Sequence, residues 1–201
     1  MSRFTHGFFE TDTQKVARAL LGAYLVRSFD GEHLVGKIVE CEAYVGQDDT
    51  ACHASRGKTP RNAMMFGPPG NAYVYFTYGM HWMLNVVTER EGFPAAVLLR
   101  AVEPVRGGER MRRLRQVRGV VRRERDLTSG PARLTQALAI DGTLNGADLV
   151  DAGVLWLEKG QPVSGDLIVS GPRVGVRYAA EKDRLAPWRF WISGNVFVSR
   201  G

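Results

Sequence analysis

Apolar positions near the start of the chain fall at helical spacing. In TDTQKVARALL, residues 11–21, Val16, Ala19 and Leu20 share one face behind a threonine/aspartate start, which predicts a short amphipathic helix. The period then shortens to two. AYLVRSF and HLVGKIVECEAY flank an Asp30-Gly31 pair, and because both turn residues tolerate positive φ the two runs read as a β-hairpin. On the second strand Glu40, Glu42 and Tyr44 point to one face and Cys41 and Ala43 to the other.

Residues 46–70, GQDDTACHASRGKTPRNAMMFGPPG, have no periodicity and read as a long loop, a kind that in compact domains is usually functional. AYVYFTYGMHWMLNVVT returns to β-prone composition and predicts a second hairpin with Tyr78-Gly79 at its tip. GFPAAVLLRAVEP is a further, mostly apolar strand that carries Arg100. TSGPARLTQALAI reads as a helix begun by Ser129 with Pro131 in its first turn. VLWLEKG, DLIVSGPRVGVRYA and WRFWISGNVFVS add short strands. With no repeat, low-complexity tract or linker, the pattern predicts one α+β domain over 1–201: a curved, mostly antiparallel sheet flanked by helices, with a protruding hairpin.

Composition adds a location and a class of partner. At 201 residues and 44% hydrophobic content the chain suits one domain with a real core. MSRFTHGFFETD lacks the pattern of a signal peptide and no apolar run approaches the ~20 residues that span a bilayer, so no membrane is expected, and the location is cytoplasmic, nucleoid-associated in a bacterium. Cys41 and Cys52 form neither a disulfide framework nor a zinc spacing, so no metal and no cofactor are expected. The net charge is +6, carried by 22 arginines against 5 lysines. Residues 106–125 hold nine arginines and two glutamates, a local balance of +7 that leaves the rest of the chain at −1. Such a segment is either a solvated charged loop or an electrostatic footprint for a polyanion, and arginine's planar fork suits phosphate.

The candidate chemistry centres on ECEAYVGQDDTACH. Glu40 and Glu42 lie roughly 6.6 Å apart at Cα if extended. A pair of carboxylates invites a glycoside hydrolase reading, but such pairs flank a scissile bond from opposite sides and seldom share a strand. Each glutamate alone reads first as a carboxylate that faces solvent or pairs with arginine, and His53 alone as a structural histidine. Tyr73, Tyr75, Phe76 and Trp82 suit an ordinary strand core. Tyr78 does not, because a turn tip is the least buried part of a hairpin. An exposed aromatic beside basic surface suits stacking on bases or wedging between them. A carboxylate and aromatics in a pocket, an aromatic tip and clustered arginines together fit an enzyme acting on a flipped base.

The run GKIVECEAYVGQDDTACHASRGKTPRN, followed in order by YVYFTYGMHWMLNVV, VLLRAVEP, LTSGPARLTQALAI and RVGVRYA, resembles the alkyladenine (3-methyladenine or methylpurine) DNA glycosylase family over about residues 8–199. The family's N-terminal extension has no counterpart here, which suits a minimal catalytic domain. The resemblance implies that Glu42 is the general base for water attacking the sugar C1′, that Arg100 and the backbone carbonyl of Val174 help place that water, and that Arg100 favours ionised Glu42. It implies that Tyr44, His53 and Tyr75 hold the extruded base, and that Asn85 obstructs the guanine 2-amino group. It assigns Tyr78, Met80 and Arg61 to DNA binding, Tyr78 entering the minor groove. His81 and Trp82 depart from the pattern beyond the tip, and the arginine-rich segment aligns with no family motif.

The implied reaction is hydrolysis of the N-glycosidic bond of a damaged purine, such as 3-methyladenine, 7-methylguanine or hypoxanthine, in double-stranded DNA, leaving an abasic site. Alkylation makes the base cationic, a better leaving group and a ligand for aromatic faces, worth ~0.5 to 2 kcal/mol. Lys37 and Lys58, the nearest lysines, lie outside the aligned pocket positions, so no lysine is placed to form a Schiff base and a monofunctional enzyme is expected; a monomer is expected as well. The rivals are a noncatalytic binder of damaged or bent DNA and an enzyme releasing bases from RNA or free nucleosides.

Overall fold

A computed structural model describes residues 2–117 and 119–200 of the chain. Strand β1 (Tyr24–Phe29) turns into β2 (Glu32–Val45) through Asp30 and Gly31 at φ 47° and 77°, the doubly left-handed geometry of a two-residue hairpin turn. The second hairpin joins β3 (Ala72–Thr77) to β4 (His81–Val87). Tyr78 and Gly79 at its tip have φ 52° and 66°, and Met80 N–H closes the turn on Thr77 O at 3.2 Å.

These strands belong to an eight-stranded sheet in the order β3-β4-β5-β2-β1-β6, with every pairing antiparallel. It is completed by β5 (Ala95–Arg106), β6 (Leu155–Glu158), β7 (Ile168–Gly171) and β8 (Arg189–Ile192). One side of β2 pairs with β5 along its length, while the other pairs first with β1 and then, from Glu40 to Glu42, with β8, which carries β7. The second half of β2 is therefore interior strand. That buries the glutamates which alternation alone left free to face solvent.

The β2–β5 ladder shifts register at three places, one at Val35/Gly36 and two on either side of Glu40. The β2–β5 register passes from Ile38↔Val102 to Glu40↔Ala101 and then to Cys41↔Leu99, leaving Val39 and Arg100 without ladder partners. Such shifts re-aim side chains and are common beside active sites. Cys41 and Ala43 pack into the main apolar core, whereas Val39 joins Ala101 and Phe197 in a separate cluster on the opposite side. The main core draws on Phe4, Phe9, Leu34, Leu84, Leu134 and Phe190.

Helices α1 (His6–Phe9), α2 (Thr13–Ala19), α3 (Gly108–Gln116), α4 (Pro131–Ala137) and α5 (Glu181–Arg184) are short. The helix expected over 11–21 is trimmed to α2, because Asp12 caps it by accepting from Lys15 N–H at 2.9 Å. In α4 the N-cap is Gly130 rather than Ser129, with Pro131 at the first position as expected. The strand expected across DLIVSGPRVGVRYA is confined to β7, and the chain beyond it is loop. The long loop contains two single 3-10 turns, His53–Arg56 and Ala63–Phe66. Among the described residues no helix is long and apolar enough to cross a membrane.

The basic segment is not one exposed stripe. It runs from the end of β5 through α3 into coil, and Arg118 lies outside the described residues. Arg110 pairs with Asp30, Arg123 with Asp126 at 3.2 Å, and Arg115 is buried against Gln136. Arg113 and Arg122 are exposed.

Candidate active site

Glu42 is fully buried on interior strand β2. Its Oε1 accepts from the backbone N–H of Val174 at 2.7 Å and lies 3.3 Å from Arg100 Nη1; its Oε2 accepts from the Tyr44 hydroxyl at 2.8 Å. Each of these three partners lines a cavity of about 900 Å³. The carboxylate therefore sits behind the cavity wall. Burial, joined by the Glu42 charge, pushes the Tyr44 phenol well above its ordinary pKa, so it stays a donor.

Glu40, one strand step earlier, has a different environment. It accepts at Oε1 from Arg100 Nε, Arg189 Nε and Ser199 Oγ, each at 2.8 Å, and at Oε2 from Ser199 N–H at 2.7 Å. A carboxylate so enclosed is an anchor for the C-terminal segment. Arg100, released from the ladder, bridges both glutamates. Burial works against its charge, but Glu42 and Glu40 outweigh that and push its pKa above the ordinary value. None of Glu40's partners leaves it facing a ligand, so the paired-carboxylate geometry of a glycoside hydrolase is not built here.

The cavity walls are aromatic. Tyr44, His53, Tyr73, Tyr75, Tyr78 and Tyr178 line it, with Asn85 and Arg61. Tyr73 and Tyr75 share a face of β3 with ring centroids 5.2 Å apart, and His53 stands edge-on to Tyr75 at 4.5 Å. Burial, with Arg61 adding to it, lowers the His53 pKa to about 4, so the imidazole is neutral near pH 7. Asn85, on β4, is buried and donates to Tyr73 O at 3.0 Å. Arg61 reaches from the loop to Phe76 O at 3.2 Å and lies 5.5 Å over the Tyr75 ring. At the tip Tyr78 is 79% exposed and Met80 55% exposed. Every residue expected at the site thus gathers at one cavity except Glu42, directly behind it, and Met80, outside it on the hairpin.

Sequence reasoning missed what holds the loops in place. Arg173 and Asp49 form a buried two-pronged ion pair at 2.6 and 2.8 Å, and the Arg173 guanidinium lies 4.7 Å from the Tyr44 ring centroid and 4.9 Å from that of Trp188. Asn62 donates to His53 O and Gly57 O, both at 2.9 Å, which fixes the His53 turn. Tyr178 hydroxyl donates to Ala51 O at 2.9 Å, tying the RVGVRYA loop to residues beside His53. That run was legible as a motif, but its partners Asp49, Ala51 and Glu42 lie more than 100 positions away.

The model of the family described as Methylpurine-DNA glycosylase (MPG) matches residues 7–196. The chain belongs to this glycosylase family. Curated relatives of similar length agree. The chain is 52% identical over 193 residues to a Carboxydothermus hydrogenoformans protein named "Putative 3-methyladenine DNA glycosylase", covering 96% of each chain. It is 49% identical over 193 residues to a protein of the same name from Methanocella arvoryzae, covering 96% of this chain and 94% of the relative. A Burkholderia lata protein, again of that name, is 48% identical over 194 residues, covering 96% and 88%. Family membership makes the chain a DNA glycosylase, an enzyme that hydrolyses the bond between a base and its sugar.

Proposed function

We propose that this glycosylase extrudes damaged purines from duplex DNA into the aromatic cavity and hydrolyses their N-glycosidic bond, with Glu42 as general base. The observation that carries this reading is a buried carboxylate whose three partners all line one aromatic cavity. Among the described residues Oε1 is occupied by Val174 N–H and Arg100, while Oε2 has a single partner and retains a lone pair to accept a proton from water. As the water oxygen bonds to C1′, the C1′–N bond breaks, its electron pair leaves on the purine and the water proton passes to Glu42. For 3-methyladenine or 7-methylguanine that pair neutralises a cation, so leaving is easy and the same charge favours the tyrosine faces. Neutral hypoxanthine is the harder substrate. Among the described residues lining the cavity there is no lysine to form a Schiff base, which supports a monofunctional enzyme that leaves an abasic site.

The test is single-turnover release of 3-methyladenine, 7-methylguanine and hypoxanthine from duplex DNA. Release that requires the duplex supports the proposal. Lesion binding without release supports the noncatalytic damage binder instead, and equal release from RNA or nucleosides the third reading.

Tyr78 is the proposed minor-groove wedge, with Met80 and Arg61 beside it on the DNA. Tyr78 is bulky and held at φ 52°, a conformation with a cost of about 1–3 kcal/mol that is typically retained at functional sites. Tyr78→Ala is expected to change stability by no more than about 0.5 kcal/mol, because the side chain is exposed. Extrusion costs a few kcal/mol, so loss of the wedge should slow hypoxanthine release from a paired duplex about tenfold or more. Stopped-flow fluorescence of a base analogue beside the lesion reads this step directly, and an unchanged extrusion rate would remove Tyr78 from the role.

Arg113 and Arg122 are proposed to neutralise backbone phosphates. Changing either to Ala is expected to reduce the slope of log K against log[salt] by about 0.9 for each phosphate no longer neutralised. Slopes equal to wild type would place the basic segment away from DNA.

A further inference from the structure

A second cavity, of about 490 Å³, opens away from the aromatic one. Its floor is Phe4, Leu21, Ala23, Val163 and Ile168, which belong to or pack against the core that Cys41 and Ala43 face, whereas Tyr44 points from β2 into the aromatic cavity. Neighbours on a strand alternate faces, so the two openings lie on opposite sides of β2. One wall is fixed by two glycines. Gly22 has φ 87°, a Cβ on it would lie 2.6 Å from Gln161 O, and a Cβ on Gly160 would collide with Gly22 O. The two backbones cross where only glycine fits, which holds residues 159–163 opposite α2.

The rim is cationic. Lys15 and Arg18 stand on α2 and Lys159 on the facing wall, and all three are exposed. Among the described residues none of them has a carboxylate partner, and no acidic residue lines the cavity. Arg18 instead lies 4.5 Å over the buried Phe190 ring and Lys159 5.9 Å over Phe4, so aromatic faces support these charges without neutralising them.

We propose that this cavity is a docking site for an acidic segment of a partner protein, which seats a large apolar side chain between α2 and residues 159–163 and sets carboxylates against Lys15, Arg18 and Lys159. An apolar floor inside a charged rim has the anatomy of a protein interface, and the volume falls within the range of about 300–1,000 Å³ usual for binding pockets. DNA offers the negative charge but no apolar group for the floor. A bilayer surface is too flat to fill a recess, whereas a protruding leucine or phenylalanine fills it. Because the site faces away from the aromatic cavity, the segment binds while the glycosylase holds its duplex.

The test is a titration of the ¹⁵N-labelled full chain with a short peptide in which a leucine–phenylalanine pair stands between aspartates. Amide shifts are expected within 15–23 and 159–168, and they should persist when lesion-containing duplex is bound. Lys15→Glu combined with Lys159→Glu should weaken peptide binding about tenfold, the scale of two exposed ion pairs turned to repulsion, and leave base release unchanged. No shift at those residues with millimolar peptide overturns the proposal, as does equal binding of a peptide with lysines in place of the aspartates. Displacement of the peptide by duplex would place the site on the DNA face and overturn it too. Shifts of the same amides with protein concentration alone would assign the face to a second copy of this chain, and equal shifts with decanoate would make it a site for small amphiphiles; either result replaces the partner segment.

Discussion

Glu42→Gln is expected to lose base release by about 10²–10⁴-fold, the usual contribution of a general base, while the folded protein still binds lesion-containing duplex. The substitution is isosteric. Its carbonyl oxygen still accepts from Val174 N–H and sits near Arg100, and Arg100 keeps its bond to Glu40 at 2.8 Å, so no buried cation is abandoned. What disappears is the atom that takes the water proton. Glu40→Gln is the informative contrast, because Glu40 is enclosed by two arginines and Ser199. Its loss should appear first in thermal stability and only through that in rate. Single-turnover release, lesion binding and thermal melts on both variants separate the roles. Release by Glu42→Gln within threefold of wild type would end the assignment of Glu42 as base.

Local chemistry made much of the fold legible. Asp30-Gly31 tolerates positive φ and the two β-prone runs meet at Tyr78-Gly79, and both turns stand where those patterns place them. The exposure of Tyr78 followed from its place at a hairpin tip. Alternation put Glu40, Glu42 and Tyr44 on one face, and Arg100, bonded to both glutamates, spans that face. Two kinds of information were not in any window of sequence. One is register: no local pattern announces that Val39 and Arg100 drop out of the ladder, yet that shift accompanies the placing of a guanidinium between two carboxylates. The other is long-range pairing. Asp49 and Arg173 each look like an ordinary surface charge until the fold brings them together, and Tyr73 reads as core and is buried, with its hydroxyl 3.1 Å from His53 Nδ1. The basic segment was legible as charge alone, since composition does not tell an arginine committed to Asp30 from one free for phosphate.

Asp49→Ala is expected to destabilise the protein by about 3–5 kcal/mol, because it strands the Arg173 charge in the interior. Both side chains are 0% exposed, and Asp49 also accepts from Ala51 N–H at 3.0 Å, so its loss loosens the loop that leads to His53. Against a typical total of about 5–15 kcal/mol this is a large share. Asp49→Ala combined with Arg173→Met should recover much of it, since two apolar groups leave no charge to strand. Recovery of stability need not restore release. Arg173 precedes Val174, whose N–H is bonded to Glu42, and its guanidinium is stacked on Tyr44. If the pair aims the base and the cavity wall, the double variant will be stable and slow. Urea denaturation and single-turnover release on both variants decide it: a loss under about 1 kcal/mol in Asp49→Ala would show that the pair anchors nothing, and a fast double variant would confine its role to the fold.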